Sequence, residues 1–176
     1  EARKELAPSK VLISIDIFGI MAWGRPEDVQ MTGQKLEELA QYCDIISPMI
    51  YPSHFSSPFQ GISNPGNRPY FMVSEACRRF SEFTKDSNVS LRPWIQAFPY
   101  RVDRFNKEYI LEQLRALNAS ETRGWLLWSA GNVYGAARRA LQQWHDTTSK
   151  EGNLTAELHL EGQTVQPHIQ AHLEYP

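Results

Sequence analysis

The period of hydrophobic and polar positions changes repeatedly along this chain, and the changes mark out four strand–helix units. The first strand is Val11-Leu-Ile-Ser-Ile-Asp-Ile-Phe18, a short run rich in β-branched residues and closed by Gly19. Alternation sorts its faces. Val11, Ile13, Ile15 and Ile17 point one way, and Leu12, Ser14, Asp16 and Phe18 the other. The first face is wholly apolar and suits packing under helices. The second turns polar towards its carboxyl end and carries Asp16. A carboxylate is costly in a dry core unless it is paired, so an acid at the end of a buried strand marks a site.

The same reading continues along the chain. Residues 1–10 read as a helix tail broken at Pro8, and residues 19–32 as a loop. A helix is expected at about 33–42 and a second strand at Asp44–Tyr51, where Pro48 removes a ladder donor. The Pro-, Gly-, Ser- and Asn-rich stretch from Pro52 to Pro69 is a long loop, and such loops in compact domains are commonly functional. A helix at about 70–86 carries Phe71, Ala76, Phe80 and Phe83. The third strand spans Ser90–Phe98, a helix at about 106–118 carries Tyr109, Ile110, Leu114 and Leu117, and the fourth strand spans Gly124–Ser129. A last helix covers about 133–146. Beyond it, alternation around Glu157 and His168 suggests a hairpin or appended segment, so the chain divides into 1–147 and a tail, 148–176.

Strand–helix alternation implies an α/β fold with a parallel sheet and right-handed crossovers. The first strand–helix turn has neither a dinucleotide fingerprint nor a P-loop, which disfavours a nucleotide-binding doubly wound sheet. The remaining architecture is a (β/α)8 TIM barrel, which needs eight strands and about 250 residues. Four units in 176 residues, beginning with Glu rather than Met, read as half a barrel. The other half of the barrel, or a second copy, is then an expected partner, because a lone half barrel leaves two sheet edges open.

Composition narrows the function. Hydrophobic residues make up 41% and charged residues 22%, an ordinary globular balance. The net charge of −2, with no basic stripe, gives no footprint for nucleic acid. No apolar run is long enough for a membrane span. Cys43 and Cys77 lie far apart and read as two buried free thiols; no spacing calls for a metal or another cofactor. Asn88, Asn118 and Asn153 stand in glycosylation sequons.

Several segments together resemble the putative glycosyl hydrolase domain family, a mainly bacterial family related to TIM-barrel glycosidases. They are Ser14-Ile-Asp-Ile-Phe-Gly19, Gly33-Gln-Lys-Leu-Glu37, Asp44-Ile-Ile-Ser-Pro-Met-Ile-Tyr-Pro-Ser-His-Phe55, Pro69-Tyr70, Arg92-Pro-Trp-Ile-Gln96 and Gly124-Trp-Leu-Leu-Trp128. The resemblance covers about residues 10–146. It implies barrel strands five to eight, a carbohydrate substrate, and an extracellular or cell-envelope setting. The family's first half carries a further acidic strand end of the type Asp-Tyr-x-Arg-Phe-Pro, which is absent here.

Barrel sites lie at the carboxyl ends of the strands. Asp16 is the one carboxylate at such an end and is the candidate catalytic residue. Glycoside hydrolysis needs a second carboxyl, about 5 Å away for retention and farther for inversion. Tyr51, inward by alternation with Ser47 and Met49, and His54 just beyond it are candidate substrate ligands. So are Trp94 and Gln96 on the third strand, Trp128 on the fourth, and Asn132 after it. Indoles stack on sugar rings, though they also fill barrels. Asp44 and Arg92 stand at strand starts, on the opposite rim. Asp44 reads as capping or ending the preceding helix, and Arg92 as part of an ion pair. Trp23 either packs or forms a sugar platform. The leading reading is hydrolysis of a glycosidic bond in a poly- or oligosaccharide. The alternatives are a non-catalytic carbohydrate-binding or structural domain and, more distantly, another TIM-barrel hydrolase.

Overall fold

A computed structural model describes residues 2–158, with side chains to residue 149. The first 140 residues form one compact unit. Its sheet comprises β1 (Ser14–Phe18), β2 (Ile45–Ile50), β3 (Ser90–Leu91), β4 (Trp94–Gln96) and β5 (Leu126–Trp128), and every pairing is parallel. The spatial order β1-β2-β4-β5 follows the chain order, with β3 also on β2. A doubly wound sheet reverses its order at a switch point; this one does not. Right-handed crossovers without a reversal place all the connecting helices on one face.

Burial distinguishes the two faces. Ile17, Ile50 and Ile95 are fully buried on one, whereas on the other Asp16 is exposed, Phe18 is 50% exposed and Trp128 43%. The apolar alternation of the first strand thus lies under the helices, and its acidic alternation faces solvent.

Pro48 sits in the middle of a central strand, and the sheet accommodates it with a break. The carbonyls of Asp44 and Ile46 accept from Ser90 N and Arg92 N. Pro48 has no N–H for the next position on that side, and the third strand is interrupted at Arg92-Pro93 before the ladder resumes at Met49–Trp94. The single expected strand over Ser90–Phe98 is therefore two short ones.

The segment 19–32 is more ordered than a loop. It holds a 3-10 turn, Gly19–Trp23, and a helix, α2 (Pro26–Thr32), after the short α1 (Ala2–Leu6). Pro26 at the first position, Glu27 and Asp28 in the first turn, and the left-handed Gly33 stop are all helix signals. The helix expected at 33–42 shrinks to α3 (Leu36–Leu39). In α4 (Pro69–Thr84) the buried stripe is Met72, Val73, Ala76, Cys77 and Phe80, while Phe71 and Phe83 flank it half-exposed. The small Ala76 and Cys77 let this stripe approach its neighbours closely; α4 packs on β2, β3 and α5 (Lys107–Asn118). Asn106 caps α5 through Glu108 N and Tyr109 N. Both cysteines are free and buried. The second compact unit starts at Leu141 and contains the remainder of α6 (Gly135–Leu158), so that helix continues past 146. The expected hairpin, beyond Leu158, lies outside the described residues.

Two contacts hold β1 on β2. At the start, Asp44 accepts Ile13 N at 2.8 Å and two bonds from Arg3 at 2.8 and 3.1 Å. Asp44 is thus structural, but it anchors the chain entering β1 rather than the preceding helix. Arg92 donates to the Arg123 carbonyl at 3.5 Å instead of forming an ion pair. At the far end, Gly19 lies against the backbone of β2, where a Cβ would come within 2.5 Å of Met49 O. Gly19→Ala must push the turn off β2. The expected result is a loss of about 1–3 kcal/mol, read by urea denaturation; wild-type stability would show that this approach does not constrain the sheet.

Candidate active site

The solvent-facing side of the sheet is built from register partners, which share a face in a parallel sheet. Asp16 pairs with Ser47, Met49 with Trp94, and Gln96 with Trp128. Trp94 Nε1 donates to Asp16 Oδ1 at 3.0 Å. Its strand and that of Asp16 are separated by β2, so two strand spacings of about 4.8 Å must be spanned. The small Ser47, bonded to Ser14 at 3.0 Å, leaves room for the indole to reach across. Trp94 also meets Trp128 edge-on at 6.0 Å. Among the described residues Asp16 Oδ2 has no protein partner, so one carboxylate oxygen is fixed and the other is available.

Next to Asp16, at the carboxyl ends of the strands, lies a cleft of about 1050 Å³. Phe18, Met49, Tyr51, His54, Phe98, Tyr100 and Trp128 line it together with Arg25, Asp28 and Arg101. Tyr51 is buried. Burial, followed by the charge of Asp16 and then Tyr134, raises its pKa, so the phenol stays protonated and serves as a donor. His54 meets the rings of Tyr51, Phe98 and Tyr100 at 5.3–5.5 Å. Partial burial, with a smaller contribution from the Arg101 charge, lowers its pKa and favours the neutral imidazole.

The expected site residues take different positions. Asp16, Trp94 and Trp128 form one cluster on the open face, and Tyr51 and His54 line the cleft. Gln96 is fully buried and bonded entirely within the protein. Its Oε1 accepts Ser53 N at 3.1 Å and Tyr109 OH at 3.2 Å, and its Nε2 donates to Phe98 O at 2.8 Å. Gln113 holds the main chain of Gln96 through bonds of 2.9 Å to both N and O. Asn132 is exposed in a left-handed turn, its N–H on Ser129 O. Trp23 packs: it contacts Phe55 at 5.2 Å and Phe59 at 4.8 Å, under Arg79.

Pattern reading passes over Arg25, Asp28 and Arg101. Asp28 is buried, and both its oxygens are taken by Arg25, at 2.6 and 3.0 Å. The Pro26-Glu-Asp helix start was a usable signal for a structured segment here; nothing local marks Arg101. Among the described residues no cluster of three or more His, Cys, Asp or Glu is arranged to hold a metal ion, and no helix is long and apolar enough to cross a membrane.

An aromatic cleft beside a half-held carboxylate, at the carboxyl ends of parallel strands, lies where α/β folds commonly bind their ligands. The chain belongs to the family described as the putative glycosyl hydrolase domain, whose profile matches residues 1–134. No curated protein and no solved structure gives a significant match.

Two measurements test this site. Gln96→Leu leaves Ser53 N and Tyr109 OH buried without their acceptor; unfolding free energy should fall by about 1–3 kcal/mol or more, and an unchanged value would contradict the network. By NMR, His54 should titrate below the ordinary value of about 6.5, and Arg101→Gln should raise it. With its folded pKa depressed, the unfolded chain takes up the proton first. The His54 contribution to stability is therefore present above about pH 6.5 and is lost as pH falls through the lowered value. A His54 titrating above 6.5 would reverse the assignment.

Proposed function

We propose that this chain is part of a glycoside hydrolase that cleaves a glycosidic bond of a poly- or oligosaccharide, with Asp16 as one of its two catalytic carboxyls. The observation that carries the reading is the state of Asp16. It stands on the solvent-facing side of a parallel strand, two residues before its carboxyl end, with Oδ1 on Trp94 Nε1 and Oδ2 without a protein partner among the described residues. A hydrogen bond from a neutral donor orients a carboxylate while leaving its second oxygen for a sugar carbon or a water. Tyr51 supplies a protonated hydroxyl nearby, Trp128 a half-exposed indole for a sugar ring, and His54 a neutral imidazole in the cleft wall. Gln96 acts as a positioning residue, holding the Pro52–His54 turn through Ser53 N. Asn132, on the exposed turn after β5, is a further candidate substrate ligand.

The fold that best accommodates this chemistry is a (β/α)8 barrel of which these strands are four consecutive units. Three features support it. The strand order does not reverse. β1 and β5 are both edge strands. The face opposite the helices leaves Asp16, Phe18 and Trp128 exposed, though Ser47 and Gln96 on it are buried, whereas parallel sheets are ordinarily covered on both sides. The second catalytic carboxyl then comes with the complementary half, from another segment or a second copy. Asp28, the other acid lining the cleft, has both oxygens committed to Arg25.

A non-catalytic carbohydrate-binding domain is the second reading, favoured by the single free carboxylate among the described cleft residues and their neighbours. Release of reducing ends from polysaccharides separates the two. With the complementary half present, the wild type should turn over, Asp16→Asn should lose at least about 100-fold in rate, and Trp94→Phe, which keeps a ring but loses the donor, should lose less. Full activity in Asp16→Asn would remove Asp16 from the mechanism. Binding without turnover in the wild type would favour the binding domain.

A further inference from the structure

The cleft contains one charge that the protein itself does not use. Arg25 and Asp28 neutralise each other. Among the described residues, no carboxylate lies within ion-pair reach of Arg101. Its guanidinium lies over the Tyr100 ring at 5.6 Å from the centroid, and its charge is felt by His54 across the cleft wall.

Arg101 is also held in place before any ligand arrives. Its backbone is left-handed, with φ of 49°. Its carbonyl packs onto Gly66, where a Cβ would stand at 2.4 Å, so only glycine fits there. Two residues on, Asp103 is tied to Asn67 by bonds of 2.6 and 2.9 Å. On the other side, the buried Gln96 amide donates to Phe98 O at 2.8 Å. The segment from Phe98 to Asp103 is thus pinned at both ends, and it presents a cation and an aromatic ring together. A guanidinium carried on a pinned backbone and without a counter-ion among the described residues matches the planar, charge-assisted recognition of carboxylate or sulfate. The aromatic wall beside it matches the apolar face of a sugar ring.

We propose that the cleft takes an acidic glycan, with the carboxylate or sulfate of one sugar residue seated on Arg101 beside Tyr100. This rests on the carbohydrate reading above and names its substrate class. The chain as a whole carries a net charge of −2, so general attraction of a polyanion does not account for such a preference.

A glycan array bearing neutral, uronate-containing and sulfated oligosaccharides tests the proposal by binding, without requiring turnover. The wild-type protein and Asp16→Asn should both select acidic glycans over their neutral counterparts, by roughly tenfold or more. Arg101→Gln should abolish that selection, Arg101→Lys should restore part of it, and the circular dichroism of both variants should match the wild type. Whether uronate or sulfate binds more tightly identifies the anion. Hits confined to neutral glycans, or acidic selection unchanged in Arg101→Gln, overturn the proposal and leave the carbohydrate reading standing. No hit on any glycan overturns the carbohydrate reading, and this one with it.

Discussion

The parallel pairing of β1 with β2 is the constraint on which the rest of this structure depends. The side-chain period of a strand is two, so a slip of one residue would turn Ile15 and Ile17 to solvent and Asp16 under the helices. The register is held from both ends. Asp44 takes the Ile13 amide and Arg3 at the start, and Gly19 allows the turn after Phe18 to rest on the Met49 backbone. With the register set, Asp16 faces Ser47, and the smallness of Ser47 opens the route by which Trp94 reaches Asp16 from two strands away.

The two ends of the sheet then do different work. The amino-terminal ends carry anchoring contacts, such as Asp44 with Arg3 and Ile13. The carboxyl-terminal ends carry the protonated phenol of Tyr51 and the turns that line the cleft, with the exposed Asp16 two residues inside the end of β1. Gln96 joins strand to surroundings at this second end. Its main chain is gripped by Gln113 on α5, and its side chain grips Ser53, Tyr109 and the carbonyl of Phe98. A buried amide with all its hydrogen bonds made is a rigid support, and one left half-satisfied would be costly. Two cleft-lining turns, Pro52–His54 and the one bearing Tyr100 and Arg101, are thereby tied to the same residue.

How far the site was legible follows from how local each cause is. The faces of β1, the face that Tyr51 shares with Ser47 and Met49, and the face that Trp94 shares with Gln96 follow from alternation, which is a property of a single strand. The α2 helix was overlooked because its hydrophobic stripe is short, although its proline, its first-turn acids and Gly33 announce it. Gln96 has the face that alternation gives it, but whether a buried amide meets substrate or protein depends on partners in α5 and the Pro52–His54 turn. Of the apolar residues that mark the fourth helix, Ala76 and Phe80 are buried while Phe71 and Phe83 flank the stripe half-exposed, because which face of the helix meets the sheet and α5 is set by the packing.

By itself the sequence determined the parallel α/β class, the order of the strand–helix units, the face of the first strand that carries Asp16, and the family. These rest on periodicity, on β-branched content and on short segments, each encoded within a few residues. Only the tertiary structure decided that Trp94 holds Asp16, that Asp28 is consumed by Arg25, that the sheet breaks opposite Pro48, and that Arg101 stands without a counter-charge among the described residues. The Trp94–Asp16 contact joins positions 78 residues apart, and the absence of a partner for Arg101 depends on everything around it. Which residues meet across a sheet or a cleft depends on register, on close backbone approach and on the size of the residues in between. No local pattern contains that information.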